Sequence, residues 1–294
     1  MSIQHSGQTV KIDVKKFVNA CKRNISRVNN KLDDYLTNPD EKNIHDIRTS
    51  IRRLDACYKT LPKKIQNKKQ VKTYVNKSRD LFKINSQIRD FDVITDLITN
   101  SNSNHETGNG DGNRIHHTKL KNRRATKLKE AKAVAVGLRK APVPNVSKGS
   151  ISTGKLIKRY NKLISNFGSR IQLNLPLVIT DADKVNELHE MRKDCKKLRY
   201  LLELVPYGKS SDKNVSKLEE ELENMQDLLG AIHDCDATVA YLKRQTKRQR
   251  QNDIIEYIVQ ERKRRYQDFL IHCKSDITNN QDSPILLGIP RRSN

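Results

Sequence analysis

The run His45-Asp46-Ile47-Arg48-Thr49-Ser50-Ile51-Arg52-Arg53-Leu54 returns 144 residues later as His189-Glu190-Met191-Arg192-Lys193-Asp194-Cys195-Lys196-Lys197-Leu198. The register then holds without a gap: Leu61-Pro62 falls on Val205-Pro206, and Asp90-Phe91-Asp92 on Asp234-Cys235-Asp236. Self-similarity at a fixed offset means two copies of one structural unit. What repeats is an apolar seam beside a stripe of positive charge. The fold must therefore bury the seam twice and find room for the stripe twice.

The seam sets the element type. Ile47, Ile51, Leu54, Tyr58 and Leu61 step by 4, 3, 4 and 3 residues, the spacing of one buried helical face. Met191, Cys195, Leu198, Leu202 and Val205 occupy the same register in the second copy. The same periodicity predicts helices over 11–37, up to Leu61 from a start signal at Asn38-Pro39-Asp40-Glu41, then over 64–99 and 115–140. The second half repeats the plan over 152–174, 181–205, 212–247 and 252–274. No segment alternates with period two, so the fold class is all-α, two antiparallel four-helix bundles. The first half spans 1–140, with a flexible Asn/Gly/Ser loop at 100–113. A Pro-rich linker covers 141–150, the second half 151–276 and a loose tail 277–294.

Charge then narrows the partner. Fifty-eight Lys and Arg stand against 34 Asp and Glu, a formal +24. Such an excess points to a polyanion: nucleic acid, an anionic surface or polyphosphate. Five scattered cysteines without a CxxC pair suggest reduced thiols and a cytoplasmic setting. No apolar run approaches the roughly 20 residues of a membrane span, and Met1 to Val10 lacks the apolar core of a signal peptide.

Each helical residue advances about 100°, so Arg48 and Arg52 stand at about −60° and −20° from His45. These three form one stripe beside the seam, and His189, Arg192, Lys196 and Arg199 form its counterpart. A stripe that borders the core suits the wall of a groove between helices. Guanidinium suits phosphate because its planar fork donates two hydrogen bonds at once. The competing reading of the stripe is an internal salt-bridge network, with Asp90, Asp92, Asp234 and Asp236 as the acids. Arg23, Arg27, Arg123, Arg124, Arg262 and Arg265, on other helices, would extend a basic track.

The composite H-x-x-R-x-x-x-[RK]-[RK]-[LF], present twice, with Arg89-Asp90-Phe91-Asp92-Val93 and Leu229-Gly230-Ala231-Ile232-His233-Asp234 downstream, resembles the CHAD (conserved histidine α-helical domain) family over about residues 11–274. That resemblance implies two four-helix bundles related by a pseudo-two-fold axis, with a basic channel between them that binds inorganic polyphosphate. His45, Arg48, Arg52 and Arg53 match the family's basic positions in one half; His189, Arg192, Lys196, Lys197 and Arg199 match them in the other. Arg89 and His233 share a register position and join the candidate set. Many relatives carry a second, triphosphate-handling domain with an ExExK strand. Here Glu221-Leu222-Glu223 lies in a helical pattern and lacks the lysine.

Three look-alikes carry no chemistry. Gly149 to Gly154-Lys155-Leu156 nearly spells a phosphate loop, but Leu156 replaces the magnesium-binding hydroxyl and no strand precedes it. Asp234-Cys235-Asp236-Ala237-Thr238 matches an aspartyl-phosphate motif in a helical setting where that chemistry has no strand end to sit on. His116-His117, or His233 with Asp234, lacks the spacing of a full ligand set. The chain is thus expected to be a non-catalytic polyphosphate binder with no cofactor and no metal, cytoplasmic and associated with polyphosphate granules. A nucleic-acid binder is the second reading, and an enzyme of polyphosphate or triphosphate metabolism the third. No membrane partner is expected.

Overall fold

The computed structural model describes residues 12–103, 111–204, 212–244 and 249–279. Among these residues nine α-helices form and no strand. They are α1 (Val14–Thr37), α2 (Glu41–Thr60), α3 (Lys63–Gln66), α4 (Lys69–Ser103), α5 (Asp111–Arg139), α6 (Thr153–Thr180), α7 (Val185–Leu202), α8 (Asp212–Lys243) and α9 (Gln249–Asn279).

Helix ends follow local chemistry. The Asp13 carboxylate accepts from the backbone N–H of Lys15 at 2.7 Å and of Lys16 at 3.3 Å, capping α1. Asp40 accepts from the N–H of Asn43 at 2.7 Å and caps α2, so the start signal acts two residues later than Asn38 suggests. Asn38 instead closes α1 through its N–H to the Asp34 carbonyl, and Pro39 bridges the two helices. After α2 comes the single turn α3. Its buried Gln66 side chain donates to the carbonyls of Lys59 (3.2 Å) and Leu61 (2.7 Å), groups that the end of α2 leaves without helical donors. The eight expected helices thus become nine.

Three boundaries differ further. α4 runs on to Ser103, because Ser101 is buried and its hydroxyl returns to the Ile98 carbonyl at 2.8 Å. With α5 starting at Asp111, the expected loop 100–113 shrinks; residues 104–110 lie outside the described set. α6 passes through Pro176, which removes one backbone donor. The ring faces solvent, while Leu175 and Val178 continue the buried stripe and Tyr266 donates its hydroxyl to the Val178 carbonyl at 2.7 Å. Packing on both sides outweighs the missing bond. Residues 277–279 belong to α9 rather than to a loose tail; 280–294, like Val205-Pro206, lie outside the described set.

α1 packs on α2, α2 on α4, α4 on α5 and α5 on α1; α6, α7, α8 and α9 pack each on the next. Contacts between the halves run from α2 to α7 and α6, and from α4 to α8 and α9. The main apolar core is continuous across them: Ile47, Ile51 and Leu54 of α2 belong to the same cluster as Met191, Cys195 and Leu198 of α7. A second cluster joins Ile94 and Ile98 of α4, Leu120 of α5, Tyr241 and Leu242 of α8 and Ile258 of α9. The 141–150 segment is itself anchored, with Ala141, Pro144 and Val146 buried and the Val143 carbonyl accepting from Gln70. Among the described residues both repeated seams are therefore buried, Tyr58 only partly, and burial fixes the rotation of α2 and α7 about their axes. That rotation places the charged stripe.

Ile47 is fully buried at the centre of the α2 seam. Ile47→Ala is expected to lower unfolding free energy by about 2–5 kcal/mol in urea titrations, the range for emptying a packed aliphatic site. Leu177→Ala, at an exposed position on α6, is expected to stay within about 0.5 kcal/mol of the parent in the same assay.

Candidate functional site

α2 and α7 present their stripes toward one another. Lys196 of α7 feels the charges of Arg192 on its own helix and of Arg52 and Arg48 on α2. Arg48 in turn feels Arg52, Arg89 of α4 and Arg192. Arg48, Arg52, Arg192 and Lys196 therefore form one cluster drawn from both halves. Two carboxyls stand at its margin, Asp90 of α4 and Asp234 of α8. Among the described residues neither comes within ion-pairing distance of the four cations, and no other carboxylate does.

Each half seats its arginines differently. The guanidinium groups of Arg48 and Arg52 stand over the ring of Phe82 on α4, with 5.7 and 5.1 Å from carbon to centroid, a geometry that favours a cation over the ring face. Arg192 lies against the backbone of α8 at Gly230. The Nε atoms of Arg48 and Arg192 are buried with no acceptor among the described residues. Fixed cations with unused donors are what an anion site needs.

The electrostatic cost falls on the ionisable groups of the cluster. Lys196 is half-buried, and desolvation, then Arg192, Arg52 and Arg48, hold its ammonium down at about 6. Arg48 is lowered to about 10, first by burial and then by Arg52, so it stays charged at neutral pH. Asp90 and Asp234 are both raised, chiefly by desolvation, which the neighbouring arginines oppose. Asp90 keeps an open surface, yet it stands in a concavity crowded enough for that effect.

The histidines behave unequally. His189 and His233 meet with Nδ1 atoms 3.1 Å apart, so one ring must donate and the other accept. Burial, Arg192 and His189 hold His233 at about 4; burial, Lys193 and Arg192 lower His189. His45 has no such partner among the described residues. It is exposed and is lowered by desolvation and by Arg48. Arg89, at the register of His233, faces Glu41 at 3.5 Å.

The remaining predicted residues lie elsewhere or are already paired. Arg53 reaches Glu203 at 2.7 Å, and Arg199 reaches Glu203 at 3.2 Å and Glu223 at 3.1 Å. Lys197 pairs with Asp194 at 3.1 Å; Asp194 is buried and also grips Arg170. Arg124 pairs with Asp92 at 2.6 Å. Arg262 pairs with Asp236 at 2.5 Å and donates to the Ala182 carbonyl. Arg265 pairs with Glu261 at 2.7 Å and donates to the Ala231 carbonyl. The salt-bridge reading thus holds for Asp92 and Asp236, while Asp90 and Asp234 form no ion pair among the described residues. Arg123 stands over Tyr241 at 5.9 Å; Arg23 and Arg27 are exposed on α1. Phe82, Gly230 and Glu203 also belong to the site's surroundings, although none is among the candidate basic residues. Only Gly230 carried a visible signal, a glycine inside a helical pattern. The three look-alikes fall in helical settings: Gly149 in a short helical turn with Gly154 at the head of α6, His116-His117 within α5, and Asp234 to Thr238 within α8.

Comparison with known proteins adds the following. The family model of the CHAD domain matches residues 20–243. The crystal structure of the CHAD domain from the plant Ricinus communis shares the fold, with a TM-score of 0.58 at 13% identity, over 94% of this chain and 96% of that chain. No curated protein matches the sequence at a significant level.

The sign of the Lys196 effect is testable without a ligand. From about pH 6 up to the ordinary lysine value of 10.5, the folded chain leaves this ammonium deprotonated while the unfolded chain protonates it. The unfolded state binds the extra proton, so this group's contribution to stability rises with pH across that window. Below about 6 both states are charged and the full cost is present. Lys196→Met is expected to raise Tm most below pH 6, with the gain shrinking toward pH 10. A gain that does not vary with pH would place Lys196 outside the cluster.

Proposed function

Because the chain belongs to the CHAD domain family, we propose that it binds inorganic polyphosphate through the cluster shared by α2 and α7, and that it catalyses no reaction. The observation that carries this reading is the gathering of Arg48, Arg52, Arg192 and Lys196 from two helices with no ion-paired carboxylate among the described residues. In our reading the two stripes are walls of a basic channel, and the halves are related by a pseudo-two-fold axis. His45, His189 and His233 stand along it as neutral donors and acceptors that take up protons beside phosphate. The protein would work in the cytoplasm, on polyphosphate granules.

The physics is multivalent. Like charges in a crevice repel at an effective dielectric far below that of water. A chain of phosphates between them turns that repulsion into attraction, and each neutralised phosphate releases a condensed counterion. Rigid helices hold the donors in place, so little ordering is lost on binding. Single-stranded nucleic acid fits less well. Its binders rely on exposed aromatic rings to stack bases, and the exposed large apolar side chains among the described residues are Ile, Leu and Val. Phe82 lies beneath two guanidinium groups.

The test is competition among long-chain polyphosphate, single-stranded RNA and duplex DNA at about 0.15 M salt, near physiological ionic strength. Polyphosphate is expected to win, and equal affinity for all three would overturn the specificity. Arg48→Glu with Arg192→Glu is expected to weaken polyphosphate binding by about 100-fold or more, since two attractive contacts become repulsive. Release of phosphate on incubation with magnesium would replace the non-catalytic reading with an enzymatic one.

Binding should also take up protons. The free Lys196 titrates near 6, and a polyanion beside it favours the charged form. Between about pH 6 and 10 affinity is therefore expected to fall as pH rises, with uptake of about one proton at pH 8. Calorimetry in buffers of different ionisation enthalpy measures that number. An uptake of zero would remove Lys196 from the site.

A further inference from the structure

Gly230 lies in the interior of α8, where glycine is the poorest helix former apart from proline. Its backbone is ordinary helix, so no left-handed conformation requires it. It also lies four residues before the repeated Asp-x-Asp, at a register position that the first half fills with Ser86. The reason for a bare α-carbon is spatial. A methyl group here would stand 3.3 Å from Arg192 Nε, 3.5 Å from Nη2 and 3.9 Å from Cζ. The first of these is closer than a carbon comfortably sits beside a guanidinium nitrogen.

The first half solves the same problem otherwise. Ser86 folds its hydroxyl back onto the Phe82 carbonyl at 2.8 Å, and Arg48 stands over the Phe82 ring. The register partner of Phe82 is Gln226, which offers no ring and instead accepts from Arg199 at 3.4 Å. Without an aromatic seat, Arg192 is held by lying in the groove that Gly230 leaves open on α8. Its Nε is buried there without an acceptor.

We infer that Gly230 is a positioning residue for polyphosphate: the absence of its side chain makes the notch that aims Arg192 at the cluster shared with α2. This rests on the polyphosphate reading. It adds a specific residue that touches no ligand and acts only through Arg192.

The test is a double-variant cycle of Gly230→Ala with Arg192→Ala, read by polyphosphate affinity, its salt dependence and Tm. Gly230→Ala is expected to bind about tenfold more weakly, with a salt slope shallower by roughly one counterion. Its Tm should equal or exceed that of the parent, since alanine favours helix and the obstructed atoms are the far end of a flexible side chain. In the Arg192→Ala background the same substitution should change nothing. Unchanged binding by Gly230→Ala would overturn the inference, as would an equal loss with and without the Arg192 guanidinium. A fall in Tm that accompanies the lost affinity would also overturn it, because the glycine would then serve packing. Failure of Gly230→Ala to fold alone would count the same way, and any difference between the two folded members of the Arg192→Ala pair would overturn the inference independently. Absence of polyphosphate binding by the parent protein would instead sink the functional reading itself.

Discussion

Repulsion among cations that cannot move apart governs this molecule. Arg48 and Arg52 are fixed to α2 and Arg192 and Lys196 to α7, and Ile47, Ile51 and Leu54 of the one seam and Met191, Cys195 and Leu198 of the other are buried in the shared core. Rotating either helix to relieve the charges would expose Ile47 and Leu54, or Met191 and Leu198. Each buried aliphatic side chain is worth about 1.5–3 kcal/mol, so the seam wins and the charges stay crowded. The depressed Lys196 ammonium and the raised Asp90 and Asp234 carboxyls are the local response. The protein sheds charge where it can, at lysine, and keeps it where guanidinium chemistry leaves no choice.

This gives the mixed Arg/Lys composition of the cluster a meaning. A fourth arginine at position 196 would hold its charge under all conditions. Lysine can yield its proton where arginine cannot, which softens the cost of crowding four basic side chains together. The histidine pair does the same on a smaller scale. His189 and His233 share one hydrogen bond that requires at least one ring to be neutral, and both are held below their ordinary value.

Much of the fold was legible because it rests on one-dimensional patterns. The 144-residue repeat located two equivalent helices, and the 4-3-4-3 seam located their buried faces. Boundaries were less legible where tertiary contacts overrule local signals: Val178 and Tyr266 carry α6 past Pro176, and Gln66 adds a turn after α2. At the site, the two stripes were readable as charge. Which cations would find an acid was not, because that depends on partners far along the chain. Arg53 meets Glu203 across 150 residues, while Arg52, its neighbour, points to Phe82 and meets no acid among the described residues. No spacing rule on a single helix distinguishes these two.

Glu203 closes the end of the stripe. Its carboxylate takes Arg53 from α2 and Arg199 from the end of α7, and Glu223 adds a second negative group to Arg199. Arg53 and Arg199 are thus committed to a brace between α2 and the end of α7, and at that end the crowded helices are tied together by the protein's own carboxylate.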